Sequence, residues 1–162
     1  MSGKIVGLYA DPWAGLAAAQ ISFGHPLRLW RKAVWFKANP RSAAYMRERL
    51  AERWPDAAFI DAGTGPWATS LAGADTIVLL YPDAIGLGFG GIERQVRALA
   101  PRATLKVLNG RRRCFDLDAG TRRALALRRF LERSMLVELL LGTALLLATP
   151  FLHAADLVAG RR

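Results

Sequence analysis

The sequence predicts an α/β protein in which a small, Rossmann-like and mostly parallel sheet is followed by a C-terminal membrane helix. Two patterns lead to this prediction. Short apolar runs alternate with helix-like segments through residues 1–121, as in a succession of βαβ units. Residues 134–155 then form a leucine-rich run that, as a helix, would be about 33 Å long, close to the hydrocarbon thickness of a bilayer. We therefore predict a Rossmann-like cytoplasmic domain at 1–121, and a basic juxtamembrane helix with a membrane segment at 122–162.

Five short segments have the composition of strands. The run TIVLLY at 76–81 is the most continuously apolar, as expected for the middle of a parallel sheet. Asn109-Gly110 is a two-residue hairpin signal, so the segment after it is predicted to return antiparallel, at or near the edge of the sheet. The predicted strands lie at residues 4–10, 57–61, 76–81, 104–108 and 112–117.

Helix-like segments fill the intervals between these strands. Ser42 and Asp118 are each predicted to cap a helix, because their side chains can accept a hydrogen bond from a backbone N–H group of the first turn. The second of these helices is expected to run on towards the membrane segment. The predicted helices lie at residues 14–21, 27–38, 42–54, 67–72, 91–100 and from about 120 onwards.

The apolar run at 134–155 contains one acid, Glu138, near its start, and one helix breaker, Pro150. Five arginines between residues 122 and 133 precede it, which by the positive-inside rule predicts a cytoplasmic domain on the inner (cytoplasmic) membrane. Pro150 is expected to kink or break the helix, so a re-entrant segment is an alternative to a spanning one. A core helix that never meets lipid is a further alternative.

The net charge of +10 indicates an anionic partner. Because the basic residues accompany an apolar run, membrane lipids are favoured over nucleic acid. The single cysteine, Cys114, excludes an internal disulfide and a cysteine metal cluster, and we find no convincing set of metal ligands. No signal peptide is recognisable after Met1, which agrees with a cytoplasmic location.

Residues 27–38, LRLWRKAVWFKA, have the pattern of an amphipathic helix with aromatic and basic side chains. This combination is typical of a helix that lies in a membrane interface. A helix packed on the sheet is the alternative, and base stacking on nucleic acid is a third interpretation that no accompanying motif supports. The predicted membrane-interface residues, including basic ones before the apolar run, are Trp30, Arg31, Lys32, Phe36, Arg128, Arg129 and Arg133.

A glycine-rich loop, GLGFGG, follows the third predicted strand and matches G-x-G-x-x-G at Gly86, Gly88 and Gly91. Glycines that open a helix offer backbone N–H groups and a positive helix end to a phosphate. A nicotinamide site is not expected, because the loop does not follow the first strand and residues 111–113 are arginines where an acid is required. We therefore predict a candidate phosphate-binding loop and no cofactor.

The strand, the glycine loop and then Gly90-Gly91-Ile92-Glu93 at the start of a helix resemble the nucleotide-sugar half of GT-B glycosyltransferases, over about residues 75–99. The resemblance implies that Gly90 and Gly91 face the diphosphate of a nucleotide sugar and that Glu93 meets a ribose hydroxyl. The chain has no room for a second full Rossmann-like half, so such an activity would be divided between two chains. The alternative is a glycine-rich turn that binds nothing.

Three acids, Asp11, Asp61 and Asp83, each follow a predicted strand, and a parallel sheet gathers such ends along one edge, where ligands bind. His25 lies in a loop near Asp11 in sequence and can titrate near neutral pH. Asp11, His25 and Asp83 are therefore candidate catalytic residues. Aspartates also occur in such turns for backbone reasons alone, and a lone histidine in a loop is often an ordinary polar residue.

These observations lead to the expectation of a membrane-associated protein of glycan or lipid-linked sugar biosynthesis. It would act as a glycosyltransferase, as one half of a split one, or as an assistant to such a partner beside a polyprenyl-phosphate lipid. The alternative is a non-enzymatic, membrane-anchored scaffold that recruits a partner protein. An open pocket at Gly86–Glu93 would favour the first.

Overall fold

The computed structural model describes residues 3–12, 26–134 and 136–160, and the predicted helix at 14–21 and His25 lie outside these ranges. Strands and helices alternate along the described chain, as predicted. In chain order they are β1 (Ile5–Tyr9), α1 (Pro26–Ala38), α2 (Ala43–Arg53), β2 (Ala58–Asp61), α3 (Trp67–Ser70), β3 (Thr76–Tyr81), α4 (Gly90–Leu99), β4 (Thr104–Asn109), β5 (Cys114–Asp116), α5 (Ala119–Ser134) and α6 (Leu136–Ala159).

The five strands form one sheet in the order β2-β1-β3-β4-β5, and its first four strands are parallel. The central strand is β3, where Leu79 lies between Leu8 of β1 and Val107 of β4. All three of these side chains have no accessible surface, which explains why this strand is apolar without alternation. The predicted α/β class with a mostly parallel sheet is confirmed.

Two predicted helix caps are confirmed by their hydrogen bonds. The Ser42 hydroxyl accepts from the backbone N–H of Tyr45 at 3.3 Å, and α2 begins at the next residue. Asp118 Oδ1 accepts from the N–H of Thr121 at 2.7 Å, and α5 begins directly after Asp118. Local side-chain chemistry therefore sets where these helices start.

The core between α2 and the sheet depends on a close approach of the helix to β1. Met46 and Leu50 of α2 are buried together with Val78, Leu80 and Leu108 of the sheet. A Cβ atom at Gly7, in the middle of β1, would overlap the Leu50 side chain. This glycine therefore makes room for the helix.

The predicted hairpin between β4 and β5 is present, but its loop has three residues instead of two. Leu108 pairs with Cys114, and the N–H of Asn109 donates to the carbonyl of Arg113, which leaves residues 110–112 as the loop. Arg112 has a φ of 63°, the left-handed position that three-residue hairpin loops require and that glycine usually occupies.

The chain divides into two compact units, residues 1–129 and 130–162. The second contains α6, which is continuous through Pro150 instead of broken there. Its stretch Glu138–Leu157 is the one helix in the described residues that is long and apolar enough to cross a membrane, and none of this stretch is buried within the protein. A core helix of this chain would be buried, so the exposure of this stretch does not fit that alternative.

Candidate functional site

The predicted aspartates and the glycine loop lie where β1, β2 and β3 end, at what we call the carboxyl edge of the sheet, while His25 lies outside the described residues. The loop between β3 and α4, residues 82–89, occupies the centre of this edge. Gly88 packs so tightly against Pro12, just after β1, that a Cβ atom on the glycine would overlap the proline ring. The β1 end and the glycine loop are therefore in contact, as the position of ligand sites in parallel sheets led us to expect.

The aspartates at this edge have two different environments. Burial, followed by the negative charges of Asp11 and Asp61, raises the pKa of the Tyr9 hydroxyl to about 12. That hydroxyl donates to the carbonyl of Arg41 at 3.3 Å. Asp83, the third predicted acid, is instead buried within its own loop.

The Asp83 carboxylate organises the loop between β3 and α4. Its Oδ1 accepts from the N–H groups of Ile85 at 2.8 Å and Gly86 at 2.6 Å, and its Oδ2 accepts from Leu87 at 2.9 Å. Burial raises the pKa of this carboxyl group, although the three N–H donors and Arg129 act in the opposite direction. Because both of its oxygens accept backbone hydrogen bonds, Asp83 has a structural role in the loop. This is the alternative to a catalytic role that the sequence analysis left open.

We expect Asp83→Asn to lower the free energy of unfolding by about 1–3 kcal/mol, because the amide nitrogen would face the N–H of Leu87 and leave that donor unpaired. Asp61→Asn is the matched control. Asp61 Oδ1 accepts an exposed bond from Gly63, which an amide oxygen can keep, so we expect a change within about 0.5 kcal/mol. Equal effects of the two variants in urea unfolding would contradict the role assigned to Asp83.

The four glycines of the predicted phosphate loop do two different things. Gly86 and Gly88 have φ values of 66° and 95°, and a Cβ atom on Gly86 would lie 2.6 Å from the Tyr81 ring. These two glycines are required by the turn itself. Gly90 and Gly91 form the first turn of α4, where a Cβ atom on Gly91 would meet nothing within 4 Å and one on Gly90 only Arg129 Nη1 at 3.8 Å. The helix start is therefore open.

Glu93, predicted to meet a ribose hydroxyl, lies inside the domain. Its Oε1 accepts from the Tyr81 hydroxyl at 2.6 Å and from Arg129 Nη2 at 2.5 Å. Arg129 Nε also donates to the carbonyl of Ile85 at 2.8 Å, so this one guanidinium joins α5, α4 and the glycine loop. Burial, then the charge and hydrogen bond of Glu93, raises the pKa of Tyr81.

Arg129 therefore has a different place from the membrane-interface position predicted for it. Its side chain is 11% exposed and that of Glu93 is 8% exposed, whereas the neighbouring Arg128 is exposed. Burial opposes the charge of Arg129, but the hydrogen bond and charge of Glu93 outweigh it and keep its pKa raised. A buried carboxylate requires such a partner, because an unpaired one would lose its hydration without compensation.

The other predicted interface residues whose side chains the structure describes are exposed. Trp30, Arg31 and Phe36 of α1 are exposed, while Val34 is 1% exposed and packs inward. Arg133 of α5 is also exposed, and the Lys32 side chain lies outside the described part of the structure. The α1 helix is thus amphipathic, with aromatic side chains on its open face.

Sequence reasoning missed Asn109, which is 2% exposed at the end of β4. Its Oδ1 accepts from the N–H groups of Arg111 and Arg113 at 3.1 and 2.9 Å. Its Nδ2 donates to the carbonyl of Ala84 at 2.8 Å, which fastens the hairpin to the glycine loop. The Asn-Gly pair was the available signal, but it indicated only a turn.

A cleft of about 390 Å³ lies at the opposite, amino edge of the sheet, between the start of β1 and the segment before β2. None of the predicted site residues lines it. The described residues contain no group of three or more histidine, cysteine, aspartate or glutamate side chains placed to hold a metal ion. The cleft lining consists of Gly3, Lys4, Ile5, Arg53, Trp54, Pro55, Asp56, Ala57 and Ala58.

Neither a protein family, nor a curated protein, nor a solved structure gives a significant match to this chain. What the chain does must therefore be inferred from its own geometry.

Proposed function

We propose that this is a membrane-associated protein of glycan or lipid-linked sugar biosynthesis that binds the diphosphate of a nucleotide sugar at the first turn of α4. It acts there either as part of a glycosyltransferase or as an assistant to a partner enzyme at the membrane surface. The observation that carries this proposal is the open helix start at Gly90 and Gly91, which lies at the carboxyl edge and has no side-chain cap.

A diphosphate suits this position for two physical reasons. The N–H groups of a first helical turn point out of the helix end, and the helix dipole adds a positive potential there. Arg129, which is ion-paired with Glu93 through Nη2, brings a second guanidinium nitrogen to the same place, since its Nη1 would lie 3.8 Å from a Cβ atom on Gly90. Backbone donors and a cation thus converge on a helix start that Gly90 and Gly91 leave uncovered.

Glu93 takes a supporting part in this proposal. Its Oε1 is occupied by Tyr81 and Arg129, and the residue is only 6% exposed, so a ribose hydroxyl has little access to this carboxylate. We therefore assign to Glu93 the positioning of Arg129 beside the phosphates. The acceptor that fits a chain with a membrane helix is a lipid-linked phosphate, such as a polyprenyl phosphate.

A membrane-anchored scaffold is the second candidate, and one observation favours it. Asp83 and Glu93, two of the acidic candidates at the site, both have their carboxylates engaged in internal hydrogen bonds. With these two carboxylates used inside the domain, chemistry at this edge would depend on Asp11 or on a group from a partner chain. A scaffold would keep the same fold without binding a nucleotide sugar at all.

Gly90→Val distinguishes these candidates. A Cβ atom at this position meets only Arg129 Nη1, at 3.8 Å, so we expect the fold to survive, while the valine side chain would cover the helix N–H groups that a diphosphate needs. We expect at least a tenfold loss in affinity for a nucleoside-diphosphate sugar, about 1.4 kcal/mol or more. The measurement is a calorimetric titration of the full-length chain in a neutral detergent, with thermal unfolding followed in parallel.

Gly65→Val is the matched control, because Gly65 lies in the turn after β2 and a Cβ atom there also meets nothing within 4 Å. It should bind like the wild type. If several nucleoside-diphosphate sugars fail to bind the wild type at about millimolar concentration, where even a weak complex of −4.1 kcal/mol would form, the scaffold is the better account.

A further inference from the structure

The tip of the β4–β5 hairpin carries three consecutive arginines that the site described above does not use. We call residues Asn109–Arg113 the arginine hairpin. Arg111, Arg112 and Arg113 are all exposed, and in the described part of the structure their guanidinium groups have no acidic partner. Adjacent like charges repel each other, so an unpaired cluster of this kind indicates an anion outside the chain.

The arginine hairpin is held rigidly. Asn109 binds the N–H groups on both sides of the loop and ties it to Ala84, as described above. Gly110 packs against the β3–α4 loop so closely that a Cβ atom there would lie 2.5 Å from the carbonyl oxygen of Pro82. The Tyr45 hydroxyl donates to the carbonyl of Gly110 at 3.4 Å. The charges are therefore presented by a pre-ordered loop, which lowers the entropic cost of binding.

A fourth cation stands next to this loop. Arg41 is exposed, and its Cγ would lie 2.9 Å from a Cβ atom on Gly110. Its backbone N–H donates to the carbonyl of Pro82 at 2.7 Å, and its guanidinium carbon lies 5.6 Å from the centre of the Tyr45 ring. Four exposed arginines thus belong to the arginine hairpin or lie directly beside it at the carboxyl edge.

Arg112 occupies a backbone conformation at this tip that usually belongs to glycine. Its φ of 63° lies in the left-handed region, which is less favourable for a residue with a Cβ atom than for glycine. Glycine would fit this loop position better by conformation alone. The presence of an arginine is explained if its guanidinium binds an anion, which glycine cannot do.

We propose that the arginine hairpin and Arg41 dock on an anionic membrane surface by binding lipid phosphates. Charge complementarity favours an anionic membrane as the partner, because the arginines lie on an exposed tip and not in a pocket. Composition favours the same partner, because the same chain carries a helix that is long and apolar enough to cross a membrane. These residues are separate from Gly90, so this docking surface stands whether or not a nucleotide sugar binds.

The test uses the full-length chain in a neutral detergent and a short-chain anionic lipid, dioctanoyl phosphatidylglycerol, as the probe. The NMR shift of the Gly110 amide reports on the hairpin, and dioctanoyl phosphatidylcholine serves as the uncharged comparison. We expect saturable shifts with the anionic lipid only. Each basic contact near such a surface is worth about 1 kcal/mol, so each arginine removed should weaken binding about fivefold.

Arg112→Gly is the decisive variant, because its two effects have opposite signs. The loop should become as stable as the wild type or more stable, while lipid binding weakens about fivefold. Arg102→Gln is the matched control, since Arg102 is an exposed arginine before β4 at the amino edge, and it should bind lipid like the wild type.

Three results would overturn this inference. If Arg112→Gly and Arg102→Gln bind the anionic lipid equally well, the hairpin is not the docking surface. If inorganic phosphate saturates the Gly110 shift as tightly as the lipid does, the site takes a soluble phosphate. If single-stranded RNA displaces the lipid with higher affinity, the surface belongs to a nucleic-acid partner.

Discussion

Replacement of Arg129 by alanine should lower the free energy of unfolding of the α/β domain by about 3–5 kcal/mol, a large part of the stability of a domain this size. The cost arises because Glu93 would keep its buried carboxylate but lose the cation that compensates it. The carbonyl of Ile85 would lose its donor in the same step, since Arg129 Nε binds it at 2.8 Å. Urea unfolding of the detergent-solubilised chain, followed by far-UV circular dichroism, measures the change.

Arg128→Ala is the matched control, because it removes the same charge one position earlier in α5 from an exposed side chain. We expect it to change stability by no more than about 0.5 kcal/mol. The double variant Glu93→Leu with Arg129→Met should recover much of the loss, since an apolar pair leaves no buried charge behind. Equal effects of Arg128→Ala and Arg129→Ala would show that the buried pair does not stabilise the domain.

The parts of the fold that the sequence predicted well are those with a local cause. The run at 76–81 became the central strand because a continuous apolar segment can be satisfied only by burial on both faces. Ser42 and Asp118 each accept an N–H bond within three residues, so their capping roles could be read from the chain directly. The hairpin was predicted for the same reason, but its loop length was not.

That loop length depends on contacts that no local pattern contains. Asn109 reaches Ala84, 25 positions earlier, and this bond accompanies the three-residue loop. Glu93 and Arg129 are likewise 36 positions apart, and no local sequence pattern predicts that they form a pair. An arginine among other arginines before an apolar run reads as a membrane-interface residue. Only the packing of α5 on the glycine loop reveals that this one points inward.

In the candidate site, too, the features with a local cause were predicted and those that depend on long-range contacts were not. The glycine pattern correctly located a turn that ends in a helix, yet it could not separate glycines required by the backbone from those that leave space. Gly86 and Gly88 have positive φ values, whereas Gly90 and Gly91 are helical and open. The structural roles of Asp83 and Glu93 also became visible only with their hydrogen-bond partners.

Removal of residues 134–162 should transfer the chain completely from the membrane fraction to the soluble fraction. The full-length chain is expected in the membrane because the described stretch Glu138–Leu157 is apolar, is exposed along its length and has no cover within the protein. Each buried CH₂ group gains about 0.8 kcal/mol on leaving water, so a leucine-rich stretch of this length binds lipid strongly. The truncation should be recovered from cells without detergent.

The cut at residue 134 also separates loss of the anchor from loss of the fold, because it retains Arg129 and its bonds to Glu93 and Ile85. A shorter chain that ended before Arg129 would confuse the two. Leu146→Arg, near the middle of the stretch, is a second way to weaken insertion, and it should cost about 2.5–3.5 kcal/mol relative to an apolar residue. If the full-length chain without detergent is already soluble and monomeric, α6 does not enter a membrane, and the exposed leucines must instead be covered by a partner protein.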